Sequence, residues 1–283
     1  QKILDDKETL QSLIKEELEE VKENFGDERK TNINDTRQDI SNEDLIPEET
    51  RVLTLSRTGY AKTQPLAEYR EQRRGGQGKT GASLKDEDII QNLYILSSHA
   101  QLLCFTTRGK VFWLKVYEIP IASRTSKGRP LVNMLKLDDD ESVSKILPVE
   151  EFNNNDFVFM ATQKGVVKKT KLSYFAKKYK SGIKAINLDD DDILIGAAVT
   201  DGKQDILLAS NVGKVIRFNE KKVRPMGRTA RGVKGMKLPG KDAIVISMMI
   251  GDDEKTILCL SENGYGKRSS LEDYRITNRG GKG

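Results

Sequence analysis

The sequence predicts an all-β fold made of repeated four-stranded blades in a propeller-like arrangement, with a helix and a linker before it. Three observations carry this prediction. A hairpin pattern occurs five times after residue 50, at steps of 50, 56, 48 and 51 residues. An Ile- or Val-rich strand follows each of the first four hairpins. The periodicity of an amphipathic helix occurs at residues 2–25, ahead of the first hairpin.

Residues 1–25 are expected to form a helical arm. Apolar residues recur there at three- and four-residue steps, whereas glutamates occupy the other faces. The apolar positions are Leu10, Leu13, Ile14, Leu18, Val21 and Phe25. Gly26 is expected to end the helix as a C′ glycine does. Because nothing in the sequence is suited to cover this stripe, we expect an arm that leads out of another domain.

Residues 26–50 are predicted to be a linker, because they are polar and charged and include Asn32, Asn34, Asp35 and Pro47. The chain starts at Gln1 with neither a Met nor a signal peptide, so we interpret it as a fragment.

The five hairpins share an apolar run, a Ser or Thr, two further residues, a Gly and a return strand. The turn glycines are Gly59, Gly109, Gly165, Gly213 and Gly264. The hydroxyl residues, which suit local bonds to the backbone, are Ser56, Thr106, Thr162, Ser210 and Ser261.

The second half of each unit also repeats. A leucine is followed four residues later by an acidic residue, which is Asp88, Glu141, Asp192 or Asp242. With the strand that comes next, each unit holds roughly four strands, as a propeller blade does. Blades are therefore predicted near residues 51, 101, 157, 205 and 256 of a domain that spans 51–283. The last blade lacks its outer strands, so we expect a sixth blade outside this chain.

Composition excludes several classes of protein. Hydrophobic residues make up 36% of the 283 residues and no run approaches 18 apolar residues, so a membrane span is excluded. Cys104 and Cys259 occupy the same repeat position and are expected to be packing residues in a reducing cytoplasm. His99 is the only histidine, which excludes a His-based metal site or catalytic triad.

The remaining candidates for chemistry have structural interpretations. The acidic runs 138–141 and 189–192 occupy equivalent turns, which favours solvated loops over a divalent-metal site. Four tyrosines recur after the turn glycines and are expected to pack between blades; they are Tyr69, Tyr117, Tyr174 and Tyr274. We therefore expect no catalytic residue, metal site, cofactor or small-molecule substrate in this chain.

The net charge of +5 conceals a division between the two ends of the chain. Residues 1–50 carry a net charge of −9 and the remainder carries +14. The positive charge of residues 51–283 favours a polyanion as the partner of that part of the chain.

A basic, glycine-rich box occurs in the first unit. Glycines allow the backbone to approach a phosphate chain closely, while guanidinium groups lie alongside it. The spacing differs from that of a Walker A loop, and a solvated turn is the alternative. The candidate DNA-binding residues of the box are Gln72, Arg73, Arg74, Gly75, Gly76, Gln77, Gly78 and Lys79.

A basic loop with glycine recurs 16–19 residues after each turn glycine, and basic residues recur on the return strands. On successive blades these residues predict a positive rim. Few aromatic residues accompany them, which favours contact with the backbone of duplex DNA over base stacking on single strands. The alternative is that these basic residues only keep the protein soluble. The rim candidates are Lys62, Lys127, Arg129, Lys168, Lys169, Lys184, Arg217, Arg231, Lys234, Lys267, Arg268, Arg279 and Lys282.

The box resembles the Q-R-R-G-G-x-G signature of the C-terminal domain of the DNA gyrase A subunit, with Gln77 where that family usually has a basic residue. The resemblance covers nearly the whole chain, including LSRTGYAKTQPLAEY, LPVEEF, FMATQKGVVKKT and ENGYGKR. FGDERKT is similar to the end of the family's coiled-coil arm.

This resemblance implies a six-bladed β-pinwheel that wraps duplex DNA for an ATP-dependent type II topoisomerase that introduces negative supercoils. It implies an A2B2 heterotetramer in the bacterial cytoplasm, associated with the nucleoid. The partners of this domain would be the rest of the A subunit and the B subunit. The cleavage tyrosine would lie outside this chain, and ATP and Mg would bind on the B subunit. The alternatives are the A-type subunit of topoisomerase IV, whose box is degraded, and a propeller that serves as a protein-interaction platform.

Overall fold

The computed structural model of the chain describes residues 6–27, 31, 43–69, 88–123, 125–138, 140–252 and 254–283. The chain divides into two compact units, Gln1–Leu45 and Ile46–Gly283. All eight residues of the box lie outside the described residues.

The first unit contains the predicted helix, α1 (Lys7–Phe25). The side chain of Asp6 caps its first turn by accepting a hydrogen bond from the backbone N–H of Glu8. The six residues of the apolar stripe are exposed within this unit. Gly26 ends the helix, but its φ of −74° is extended rather than left-handed, so the prediction of a C′ glycine was wrong in its geometry.

The second unit is made of antiparallel strands. These are β1 (Thr50–Ser56), β2 (Tyr60–Pro65), β3 (Ile90–Ser97), β4 (Gln101–Thr106), β5 (Lys110–Lys115), β6 (Arg129–Pro130), β7 (Val143–Val149), β8 (Phe157–Thr162), β9 (Val166–Lys171), β10 (Ile183–Lys184), β11 (Leu194–Thr200), β12 (Asp205–Ser210), β13 (Val215–Asn219), β14 (Val233–Lys234), β15 (Val245–Ile250), β16 (Thr256–Leu260) and β17 (Gly266–Ser270). A 3-10 turn follows each return strand, at Leu66–Glu68, Val116–Glu118, Leu172–Phe175, Glu220–Lys222 and Leu271–Asp273. A further one lies at Leu131–Asn133.

Five sheets follow one another along the chain, and we number them as blades 1 to 5. Blades 1 to 3 have four strands each, in the orders β3-β1-β2-β6, β10-β5-β4-β7 and β11-β8-β9-β14. Blade 4 has three strands, β13-β12-β15, and blade 5 has two, β16-β17. The predicted all-β class with four-stranded blades is confirmed.

The fourth strand of a blade comes from the repeat that follows it. β6 pairs with β2 of blade 1, β10 pairs with β5 of blade 2, and β14 pairs with β9 of blade 3. Three of the five predicted basic loops therefore contain a short strand that joins consecutive blades. Sequence spacing could not reveal this exchange, because a strand of two residues carries no periodicity.

The hairpin turns have the predicted chemistry. All five turn glycines have positive φ, between 72° and 86°, where a residue with a Cβ is strained. In the first four hairpins the hydroxyl oxygen accepts a hydrogen bond from the N–H four residues later, at 3.1–3.2 Å. The acidic residues complete these turns, since Asp88 accepts from the N–H of Thr58 and Asp192 from that of Lys164.

Three hydrophobic clusters fill the joints between blades 1 and 2, 2 and 3, and 3 and 4. Cys104 is fully buried in the first cluster, where burial raises the pKa of its thiol to about 12. Cys259, at the equivalent position of blade 5, is exposed. The prediction that both cysteines pack in a core is therefore wrong for Cys259, whose sheet has only two strands.

Exchange of the short strands should depend on the glycines that precede them. Gly232 has a φ of +102°, and a Cβ there would lie 2.6 Å from the carbonyl oxygen of Val167. Gly240 has a similar φ of +112°, with nothing within 4 Å of such a Cβ. We expect Gly232→Ala to lower the free energy of unfolding by about 3 kcal/mol or more and Gly240→Ala by about 1–2 kcal/mol, measured by urea unfolding. Equal losses would show that the close approach to Val167 is unimportant.

Candidate nucleic-acid interface

The structure defines four outer segments, each of which begins directly after a 3-10 turn. The first three end with the short strand that pairs with the preceding blade, and the fourth ends at Gly283. They are residues 119–130, 176–184, 223–234 and 274–283. Together they contain 14 Lys and Arg residues and no Asp or Glu. Such a balance on four consecutive repeats gives one surface of the second unit a positive potential.

Seven of the predicted rim residues lie on these segments. Their side chains are exposed except for that of Arg279, which is half-buried. Arg231 forms an ion pair with Asp189 at 3.1 Å, and Arg279 donates to the carbonyls of Lys222 and Lys234. The seven are Lys127, Arg129, Lys184, Arg231, Lys234, Arg279 and Lys282.

Four other predicted rim residues are buried, and the prediction that they face an exposed rim is corrected. They are Lys62, Lys168, Lys169 and Arg217, all on return strands and at most 8% exposed. In β2, β9 and β13 the central side chains of both alternate sets are buried, so neither set reaches solvent there. A polar residue in such a strand must find partners inside.

Lys62 and Lys168 each donate to at least one backbone carbonyl of the following repeat. Lys62 Nζ donates to the carbonyls of Ser123 and Ser126, at 3.1 and 3.0 Å. Lys168 Nζ donates to the carbonyl of Arg228 in the following repeat, and at 2.6 Å to that of Ala185 in its own repeat. Each ammonium therefore joins its own blade to the outer segment of the next.

The neighbouring return-strand position forms a second joint, to the 3-10 turn. Four different donors occupy it in blades 1 to 4, and each bonds to a carbonyl of the following repeat. The pairs are Thr63 to Ile119 at 3.1 Å, Trp113 to Phe175 at 2.8 Å, Lys169 to Glu220 at 3.0 Å, and Arg217 to Leu271 at 2.7 Å. Lys169 and Arg217 also form ion pairs, with Glu220 at 3.6 Å and Asp205 at 2.7 Å.

Burial shifts the protonation of these lysines. Loss of hydration lowers the pKa of Lys62, and it lowers the pKa of Lys169 despite the opposing charge of Glu220. The pKa of Lys168 falls from 10.5 to about 8, chiefly through burial and secondly through the positive charge of Arg228. These pKa shifts come from burial inside the fold, which indicates that the three lysines have a structural role rather than a role in binding a ligand from solvent.

In blade 5 the equivalents of Lys168 and Lys169 are Lys267 and Arg268. Both are exposed on β17, as predicted rim residues should be.

At the turn edge of the blades, several residues of the acidic runs form ion pairs with nearby cations. The ion pairs are Arg108–Asp140 at 3.2 Å, Lys110–Asp138 at 2.7 Å and Lys164–Asp191 at 3.1 Å. Lys110 in turn lowers the pKa of Asp138, mainly by donating a hydrogen bond to its carboxylate. The uncompensated positive charge of the described region is therefore concentrated on the outer segments.

Sequence reasoning missed several cations of the outer segments. They are Lys177, Lys178, Lys180, Arg224, Arg228 and Arg275. Their signal was available, because they lie between the 3-10 turn and the positive-φ glycine of each repeat, in stretches without acidic residues. Aromatic rings accompany them more closely than expected: Lys177 Nζ lies 5.5 Å from the ring centroid of Tyr179, which packs against Trp113.

Within the described ranges, no three His, Cys, Asp or Glu side chains are placed to hold a metal ion. None of the helices described there is long and apolar enough to cross a membrane.

A family model described as DNA gyrase C-terminal domain, beta-propeller, matches residues 50–97, 100–150, 156–201, 204–250 and 255–283. The DNA gyrase A subunit of Salmonella typhimurium is 48% identical over 274 residues, which cover 97% of this chain and 31% of that protein. The Haemophilus influenzae subunit is 44% identical over 308 residues, covering 99% and 35%. The chain thus spans about a third of the length of these relatives.

Two solved structures share the fold. The C-terminal domain of a DNA topoisomerase IV has a TM-score of 0.71 and 27% identity, covering 84% of this chain and 72% of that one. A DNA gyrase A C-terminal domain has a TM-score of 0.65 and 26% identity, covering 83% and 76%.

Lys168 should affect stability rather than the number of phosphates bound. Lys168→Met leaves two buried carbonyls without their donor, so we expect a loss of about 1–3 kcal/mol in the free energy of unfolding at pH 7. Because the lowered pKa makes the unfolded chain bind more protons between pH 8 and 10.5, the wild type gains stability as the pH rises through this window. The difference should therefore widen, by up to about 3 kcal/mol.

Urea unfolding at pH 7, 8 and 10 measures this difference. Lys184→Met, at an exposed position, is the matched control and should stay within about 0.5 kcal/mol of the wild type at each pH. A difference that narrowed with rising pH would contradict the interior role of Lys168.

Proposed function

Because the chain belongs to the DNA gyrase C-terminal domain family, we propose that it binds and bends duplex DNA along its outer segments, so that a parent type II topoisomerase introduces negative supercoils. The observation that carries this proposal is the presence of 14 basic and no acidic residues on the four outer segments. A polyanion that follows consecutive blades would meet positive charge at each of them.

The arrangement suits the DNA backbone rather than the bases. Binding of phosphates by Lys and Arg releases condensed counterions, which provides affinity without sequence preference. In the described part of the second unit the helical elements are 3-10 turns of three or four residues, too short to enter a major groove as a recognition helix. Contacts through exposed, separated cations therefore favour wrapping over base reading.

Bending has an energetic cost that such a surface can offset. Bending 20–30 base pairs by 40–90° costs on the order of 1–6 kcal/mol. The cost accumulates along the path, so contacts must accumulate with it. Repetition of one basic segment per blade provides this, because each blade adds phosphate contacts as the duplex advances.

We extend the proposal to the parent complex. The rest of the A subunit would supply the cleavage tyrosine, whereas the B subunit would bind ATP and Mg. Together they would form an A2B2 heterotetramer in the bacterial cytoplasm. The substrate of this complex would be the DNA of the nucleoid. This chain would contribute no catalytic residue. The box, Gln72–Lys79, would hold DNA in the blade nearest the linker, where the duplex turns back towards the catalytic core.

A second candidate is substrate selection in topoisomerase IV. The likeness to the C-terminal domain of that enzyme favours it, at a TM-score of 0.71. The nearly intact box and the 48% identity to a gyrase subunit support gyrase instead. The sign of the topoisomers trapped by the isolated chain on a relaxed plasmid distinguishes chiral wrapping from simple DNA binding.

The affinity for duplex DNA should depend steeply on salt. If about 6–10 phosphates are neutralised, the logarithm of the association constant should fall against that of the salt concentration with a slope of about −5 to −9. Changing Lys127 and Lys180 together to Gln should reduce this slope by about two. Lys203→Gln, exposed on the connection between β11 and β12, is the control and should leave the slope unchanged. A salt-insensitive affinity in a fluorescence titration would refute the proposal.

The box should be needed for supercoiling and not for strand cleavage. Replacing Gln72–Gly78 with alanines removes two arginines and the glycines that allow a close approach to phosphates. We expect the reassembled enzyme to lose negative supercoiling and to keep relaxation and cleavage, with both assays run on one preparation. Supercoiling at the normal rate, or loss of relaxation as well, would contradict the proposed role of the box.

A further inference from the structure

One of the four repeated tyrosines differs from the others. Three have partners within the chain, which are Gln64 for Tyr69, His99 for Tyr117 and Cys259 for Tyr274. Tyr174 is 51% exposed, and no described residue forms a hydrogen bond with its hydroxyl. The prediction that these tyrosines pack between blades is therefore wrong for Tyr174, whose hydroxyl is available to a ligand.

Tyr174 forms one wall of a cleft of about 340 Å³. Arg228 and Thr229, on the outer segment 223–234, form the rest of its lining. Arg228 is half-buried as a residue and makes no ion pair with the described carboxylates, and Thr229 is exposed. The cleft therefore presents one guanidinium and two hydroxyl groups, and no acidic residue lines it.

A second cation reinforces the positive potential of the cleft. Lys168 is fully buried, and its ammonium donates to the backbone carbonyl of Arg228. The charge of Arg228 contributes to lowering the pKa of Lys168, so the two cations are close enough to repel one another. An anion in the cleft would relieve this repulsion, since it lies next to Arg228 and attracts both charges.

The donors match a phosphate group. A guanidinium offers a planar fork of N–H groups that binds two phosphate oxygens at once, and tyrosine and threonine hydroxyls donate to others. The exposed lysines of the outer segments, by contrast, act as mobile point charges. A half-buried arginine that shares the lining of a cleft with two hydroxyl residues restricts the position of the group that it binds.

We propose that Tyr174, Arg228 and Thr229 form a seat for one phosphate group of the duplex backbone, where the DNA crosses from blade 3 to blade 4. This inference rests on the proposed function and adds to it a defined contact that fixes the register of the duplex on the blades.

Two matched variants test the seat. Arg228→Gln removes the guanidinium and keeps the backbone carbonyl that Lys168 needs, so the joint between blades is preserved. Arg224→Gln makes the same change at an exposed position of the same outer segment. We expect Arg224→Gln to weaken duplex binding by about two- to threefold and Arg228→Gln by about tenfold or more, at one salt concentration. Equal losses, in proteins with equal urea midpoints, would overturn the proposal.

Tyr174→Phe separates hydrogen bonding from packing, because the ring remains and only the hydroxyl is lost. We expect a loss of about threefold in duplex affinity with an unchanged urea midpoint. An unchanged affinity would remove Tyr174 from the seat and refute the donor set.

A third measurement identifies the source of the phosphate. Inorganic phosphate is titrated into wild type and Arg228→Gln, and binding is followed by ³¹P NMR line width. Phosphate binding that depends on Arg228, together with equal duplex affinities for Arg228→Gln and Arg224→Gln, would overturn the assignment to DNA. Wild-type protein that binds no duplex at all would refute the proposed function itself, whereas equal losses in a duplex-binding protein refute only the seat.

Discussion

The short strand that each repeat gives to the preceding blade is the contact on which the rest of the structure depends. Its backbone is anchored at the turn glycine of that blade: the N–H of Leu131 donates to Gly59, those of Ala185 and Ile186 to Gly109, and those of Gly235 and Met236 to Gly165. Blades 1 to 3 are thereby completed by their successors, and the chain between the 3-10 turn and this strand must pass over the outside. The exposed position of the outer segments, and of their cations, follows from this exchange.

Buried donors secure the same joints from inside the sheets. A threonine, a tryptophan, a lysine and an arginine occupy one return-strand position, and each satisfies a carbonyl of the following repeat. The donor group differs from blade to blade, but the hydrogen bond to the following repeat is the same. Burying a cation is expensive, but here the ammonium and guanidinium groups donate to backbone carbonyls, and Lys169 and Arg217 also pair with the carboxylates of Glu220 and Asp205, which offsets part of that cost.

These joints sort many of the cations of the second unit by position. Lys62, Lys168, Lys169 and Arg217 are buried on return strands and bind within the fold, and several cations near the turns pair with the acidic runs. Most described cations of the outer segments are exposed, as are Lys267 and Arg268 on β17, and these exposed cations contribute most to a long-range field. A duplex would then be guided by the whole set of exposed cations, while Arg228, which lines a cleft with Tyr174 and Thr229, would give the path a fixed point.

The sequence by itself determined the arm, the bladed all-β class, the five hairpins and their glycine turns, because each depends on residue spacing along a short stretch of chain. It also located the basic stretches that carry the outer segments. Only the tertiary structure decided which cations face solvent. Lys168 and Lys184 are both basic and close in sequence, yet one is fully buried and the other exposed. The reason is that the clusters shared with blades 2 and 4 cover the two faces of the blade that contains Lys168, and β14 from the next repeat covers the edge of its strand β9. The edge contacts join residues about 60 positions apart.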